Sequence, residues 1–144
     1  MSVVSFCRLF GVVGAAGLVL AACSGGDDAA GLTDSPWQAS QYVDASGGLV
    51  DAVEGTTLSA TFDGEQVAGS AGCNNYFGGY TTDGDAISIG PLASTQMFCE
   101  GAMDQEIAFL TAMQTADSYG ISGDTLELKQ GDTTMVVYET PPGA

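Results

Sequence analysis

Residues 69–99 constrain the fold more than any other stretch. They read Gly-Ser-Ala-Gly-Cys-Asn-Asn-Tyr-Phe-Gly-Gly-Tyr, then a hairpin pattern, then Ala-Ser-Thr-Gln-Met-Phe-Cys. Residues 66–72 carry almost only small side chains. Read as a strand, Val67, Gly69 and Ala71 share one face and Ala68, Ser70 and Gly72 the other. Glycine inside a strand forfeits packing area and marks a bulge or a close approach of other backbone. Bulky groups are therefore expected over this strand, with Tyr76, Phe77, Tyr80 and a later helix as candidates.

The flanking segments alternate with the period of half-buried strands. Trp37 opens the folded part, followed by a strand over 38–43. Residues 45–55, rich in glycine and acids, read as a loop. In 57–62, Leu58, Ala60 and Phe62 face one way. Asp63-Gly64 turns the chain into 66–72 as hairpin partner. Gly78 and Gly79 permit a bend. Residues 76–82 and 86–90 pair across Asp83-Gly84, with Ile87 and Ile89 inward. A helix is expected over 102–115, with Met103, Ile107 and Leu110 as its buried stripe, widened by Phe109 and Met113. Glu100, Asp104 and Glu106 near its start read as helix-dipole electrostatics rather than a catalytic cluster. Strands over 125–129 and 133–139 close the domain. The expected fold class is α+β, mainly β: about seven antiparallel strands curled into a partial barrel with one helix packed against it.

The chain begins with targeting features. Arg8 precedes an uncharged, mostly apolar run over 9–22, shorter than the ~20 residues a spanning helix needs. Leu20-Ala21-Ala22-Cys23 resembles a bacterial lipobox, in which small residues enter the peptidase site and the cysteine thiol receives diacylglycerol. The alternative is an ordinary secretory signal whose flank contains a cysteine. The domain reading is a lipoprotein signal peptide over 1–22, a flexible tether over 23–36, and a folded domain over 37–140. Anchoring at Cys23 makes a membrane surface the first partner and places the chain in the bacterial cell envelope. Cys7 leaves with the signal and Cys23 carries lipid, so Cys73 and Cys99 remain. In an oxidising compartment that pair suggests one disulfide, stabilising by about 3.5 kcal/mol on the chain-entropy model. Two buried free thiols are the alternative.

Charge and composition narrow the function. Of 18 acidic residues all follow Cys23, opposed there by Lys129 alone. Such a surface excludes nucleic acid as a natural partner. With no histidine in the chain, Ser-His and Cys-His nucleophile systems are excluded. No phosphate-binding loop or dinucleotide fingerprint is present. Two cysteines without histidine or Cys-x-x-Cys spacing argue against a metal site, and no cofactor is implied. Asn74, Asn75, Tyr76 and Tyr80 are the candidate lining of a binding groove, although Asn74 equally suits a turn whose backbone it satisfies.

The run from Gly69 to Tyr80, together with Leu92-Ala-Ser-Thr-Gln-Met-Phe-Cys99, Gln105-Glu106 and Phe109-Leu110, resembles the META domain, or HslJ-like heat-shock-protein, family. Trp37 and Leu126-Glu127-Leu128 agree with it. The resemblance implies an antiparallel sheet with a helix, envelope or secreted location, links to heat shock, novobiocin tolerance and parasite virulence, and no established catalysis. Asn75 and Gln96 stand where the family usually has arginine. The expected function is that of a non-catalytic envelope lipoprotein binding another envelope protein or a small ligand, in stress or antibiotic tolerance. The alternative is an inhibitor-like binder of a cationic protein, such as a lysozyme or protease, through the acidic surface.

Overall fold

The computed structural model describes residues 28–143; the expected signal peptide and Cys23 lie outside them. The element order is α1 (Asp28–Thr33), β1 (Trp37–Val43), β2 (Leu49–Asp51), β3 (Ser59–Phe62), β4 (Gln66–Ser70), β5 (Asn75–Asp83), β6 (Ala86–Ile89), β7 (Ala93–Ser94), α2 (Met103–Thr115), β8 (Ser118–Ser122), β9 (Thr125–Gln130) and β10 (Thr133–Glu139). The hairpins follow from local chemistry. Gly84-Asp85, Gly123-Asp124 and Gly131-Asp132 each join paired strands, with the glycine at positive φ. That conformation suits the twist of a two-residue hairpin loop.

The antiparallel sheet runs β10-β9-β8-β6-β5-β4-β3-β1, and β10 pairs back onto β1. Eight strands therefore close into a barrel, where the sequence suggested a partial one. Closure removes the sheet edges that an open form would expose. β2 extends the β1 edge beyond β3, and β7 pairs with β5. An eight-stranded barrel is just wide enough for side chains to fill. Leu58, Phe62, Val67, Tyr76, Leu126, Leu128, Val136 and Tyr138 are fully buried.

The small-residue strand behaves as expected. A Cβ on Gly69 would stand 2.1 Å from the Ser59 carbonyl oxygen. Tyr76 sits opposite Gly69 in the β4–β5 ladder, and its hydroxyl donates to that carbonyl at 2.6 Å. Bareness at Gly69 thus lets the neighbouring strand and the phenol meet. At Gly78 a Cβ would lie 2.8 Å from Pro91 O, so this glycine admits the crossing segment while β5 continues unbroken through Gly79.

Five expectations change. Residues 49–51 form β2 inside the segment read as a loop. β8 is an additional strand, and the full count is ten among the described residues. Within the segment read as a tether, 28–33 is helical and Leu32 is fully buried, with its carbonyl accepting from Trp37 Nε1 at 3.0 Å. On α2, Phe109 and Met113 are buried as expected, together with Gln105, Glu106 and Ala112, and Leu110 packs partly against the core, but Ile107 is exposed. Glu106 stands in the first turn of α2 as expected, but it is buried, so its carboxylate does more than complement the helix end.

The two helices occupy opposite mouths of the barrel. α2 lies at the mouth marked by Tyr42, Leu58 and Met135. Its Gln105 accepts from Val53 N at 2.7 Å and donates to Thr56 Oγ1 at 2.9 Å. α1 packs where β3 ends and β8 reaches Ile121. Among the described residues no helix is long and apolar enough to cross a membrane.

Candidate functional site

Residues 94–99 cross the rim of the barrel beside α2, held there by a disulfide and by the side-chain amide of Asn74. Cys73 and Cys99 form a disulfide, with Cα atoms 5.8 Å apart. Asn74 Oδ1 accepts from Met97 N at 2.7 Å and from Thr95 Oγ1 at 2.9 Å. Asn74 Nδ2 donates to Met97 O at 3.0 Å and to Glu106 Oε2 at 2.8 Å. Glu106 Oε1 accepts from Asn74 N at 2.8 Å. Asn74 is 1% exposed and Glu106 4%. A buried carboxylate is costly unless hydrogen-bonded, and here both oxygens have donors. The turn after β4, the strap over 94–99 and the first turns of α2 are therefore one connected unit.

This unit presents apolar side chains to water. Phe98 is 80% exposed, Met97 60% and Ile107 63%. Together with Met103 and Leu110 they border a cleft of about 390 Å³ whose floor includes Asn74 and Glu106. The stripe Met103, Ile107 and Leu110 thus exists at helical spacing but faces this cleft. The core takes the adjoining face of the same helix, and Leu110 at the border packs partly against it. Large exposed apolar side chains gathered in one place mark an interaction surface more often than scattered ones do.

The four residues proposed as groove lining do not meet. Asn74 is inward, and its amide is saturated by the strap and Glu106. Asn75 is exposed, and its backbone N donates to Thr95 Oγ1. Tyr76 is buried among core rings, 6.0 Å from the Phe109 centroid. Burial pushes its hydroxyl far above the usual phenol range. Tyr80 packs edge-on to Phe62 at 5.0 Å and accepts from Gly64 N at 2.7 Å. The strand period explains the outcome: residues 74, 76 and 80 fall on the inner face, whereas 75 falls outside. Cys73 and Cys99 form the disulfide that the sequence suggested, not two free thiols.

The surface residues Met97, Phe98 and Ile107 were not singled out as a site in the sequence. Their signal was present in part. A helix apolar on two sides has more stripe than one core can bury, and Met97-Phe98 adjoins a cysteine. Nothing local reveals the burial of Glu106, because its partner lies 32 positions away.

Residues 30–141 match the family model described as the META domain. A solved NMR structure of a protein from Burkholderia xenovorans is 26% identical, with a TM-score of 0.64 over 81% of this chain and 89% of that one. A second NMR structure, 17% identical, shares the fold with a TM-score of 0.54 over 76% of this chain and 92% of its own. No protein of curated function matches the chain.

Proposed function

The chain belongs to the META domain family, and on that premise we propose that it is a non-catalytic lipoprotein of the bacterial cell envelope, anchored through Cys23. It docks another envelope component on the ledge formed by Met97, Phe98 and Ile107, in stress or antibiotic tolerance. The observation that carries the reading is Phe98, 80% exposed on a strap fixed by a disulfide and a buried carboxylate. A flexible loop can fold an aromatic ring away from water; this strap is held against such collapse. A preformed apolar surface also loses little conformational entropy on binding.

The position of the ledge supports the same reading. Cys23 precedes Asp28 by five residues, a reach of at most ~18 Å. α1 lies at the mouth opposite α2, so a lipid at Cys23 holds the far end of the barrel near the bilayer. The ledge then points away from the anchoring surface.

The test is recovery of the envelope partner with the full lipidated chain, comparing wild type with Phe98→Ser and Ile107→Ser at low and high salt. Loss of the partner in both variants, with little salt dependence, is expected for apolar docking. Retention of the partner by both variants contradicts it. Mass spectrometry of the mature amino terminus checks the diacylglycerol on Cys23.

A further inference from the structure

We propose that the Cys73–Cys99 disulfide is a redox control on the strap: a dithiol that reduces it frees residues 98–101, and the Phe98 ring folds into the cleft beside α2. That motion closes the apolar ledge; its effect on docking rests on the proposed function, whereas the motion itself rests on the strap.

The bridge is redundant for the barrel. Cys73 and Cys99 are 26 positions apart, but the ladder already joins the segments that carry them. Tyr76 pairs with Ser94 and Phe77 with Ala93, and Thr95 N donates to Asn75 O at 3.0 Å. Met97 is then held through both its N and its O by the Asn74 amide. Past Met97 these ties stop. Among the described residues the hydrogen bonding of 98–101 is local, from Ala102 N to Cys99 O at 3.2 Å. The disulfide is the remaining cross-link between this segment and the turn after β4, so its constraint falls on Phe98 to Gly101.

The freed segment has both a pivot and a place to go. Gly101 stands at φ 80°, with nothing within 4 Å of where a Cβ would be, so the backbone turns there without displacing a neighbour. Beside Phe98 lies the cleft of about 390 Å³ bordered by Met103, Ile107 and Leu110. An aromatic ring left 80% exposed is stabilised by entering it. The bridge opposes that collapse and keeps the ring in water. Both cysteines are partly exposed at the rim, within reach of a reductant.

On reduction, a thiolate of the dithiol attacks one sulfur, the S–S bond breaks, and the other cysteine leaves as a thiolate. The second thiol of the reductant then displaces the first cysteine. The reductant departs as a disulfide, its electron pair passes to the bridge, and its protons end on Cys73 and Cys99. Cys73 Sγ lies 3.7 Å from Met97 O. Its thiol therefore finds an acceptor on the retained part of the strap, while Cys99 departs with the freed part.

The test uses the full lipidated chain in zwitterionic nanodiscs, with ¹³C-methyl methionine and dithiothreitol as the dithiol. Alkylation and mass spectrometry count the thiols formed. Met97 and Met103 report on strap and cleft, Met113 and Met135 on the barrel. Expected is a shift of the Met97 and Met103 methyls in proportion to the thiols counted, with Met113 and Met135 unchanged and full return on reoxidation. Cys73→Ser/Cys99→Ser should reproduce the reduced spectrum without reductant. Phe98→Ser should remove most of the Met103 shift, because the ring causes it. A closed ledge lowers apparent affinity by the fraction still open, so the envelope partner of the oxidised chain should bind the double cysteine variant roughly tenfold more weakly. Equal binding by both overturns the switch and leaves the ledge standing. An oxidised chain that recovers no partner counts against the ledge, and the methyl shifts then decide the strap. Reduction that leaves Met97 and Met103 unmoved, shifts spread over all the methionines, or a bridge that resists dithiothreitol in the folded chain would overturn the proposal.

Discussion

Glu106 grips Asn74 with both carboxylate oxygens: one accepts the backbone N–H and the other the side-chain amide, each at 2.8 Å. One helix residue thereby fixes both the turn that follows Cys73 and, through the other face of the same amide, the strap ending at Cys99. The candidate docking surface stands on this contact.

Glu106→Gln is expected to destabilise the fold by about 2 kcal/mol, because one Asn74 donor then faces an amide instead of a charged acceptor. The melting temperature should fall by several degrees. Asn74→Ala should cost at least as much, and the double variant should cost less than the two single losses added. Full additivity in that cycle, followed by thermal unfolding, would show that the pair does not act as a unit.

Gly69→Ala is expected to cost about 3 kcal/mol, since its methyl would stand 2.1 Å from the Ser59 carbonyl and displace the Tyr76 hydroxyl. Gly79→Ala meets nothing closer than 3.8 Å and should stay within about 0.5 kcal/mol of wild type in urea unfolding. Equal effects at the two glycines would refute the close approach.

Tyr138 points a different way. Its hydroxyl is fully buried with no partner among the described residues, while its ring packs edge-on to Phe109 at 6.2 Å. Tyr138→Phe keeps the ring and removes the orphaned group, so stability should rise by up to about 1 kcal/mol. The gap should widen above pH ~10, because burial lifts this phenol's pKa in the folded state and unfolding then releases its proton. A clear loss of stability at neutral pH would mean the hydroxyl is satisfied.

Asp63 supplies an acid-side test. Its carboxylate accepts from Gln66 N at 2.6 Å and Glu65 N at 2.9 Å, which lowers its pKa below the ordinary 3.8. A depressed folded pKa stabilises above the unfolded value, and the gain is lost as pH falls through the folded one. Wild type should therefore exceed Asp63→Asn in melting temperature by a constant margin above pH ~5, a margin that closes below pH 3.8. A margin independent of pH would place the stabilisation elsewhere in the turn.

Much of the barrel was legible because it is built from local devices. Leu58, Ala60 and Phe62 alternate as a half-buried strand must, and all three are buried. The bareness of Gly69 announced a close approach that Ser59 and Tyr76 provide. What escaped was non-local or ambiguous. Closure depends on β10 meeting β1 almost a hundred positions away, for which no neighbouring residue gives a sign. β8, Ser-Tyr-Gly-Ile-Ser, is short and interrupted by glycine, and its ladder to β6 is a single pair. On α2, apolar residues line two sides, so periodicity found the buried Phe109 and Met113 but also took in Ile107, which faces water. Leu32 hid in a polar run because one buried side chain makes no pattern.

The most direct test of the docking ledge is site-specific photo-crosslinking in intact cells. A photoreactive residue replaces Phe98 on the strap in one strain and exposed Thr81 on the barrel flank in another. The account predicts a discrete crosslinked envelope species from position 98, lost on adding Ile107→Ser and absent from position 81. The same species from both positions, or none from position 98, would contradict it.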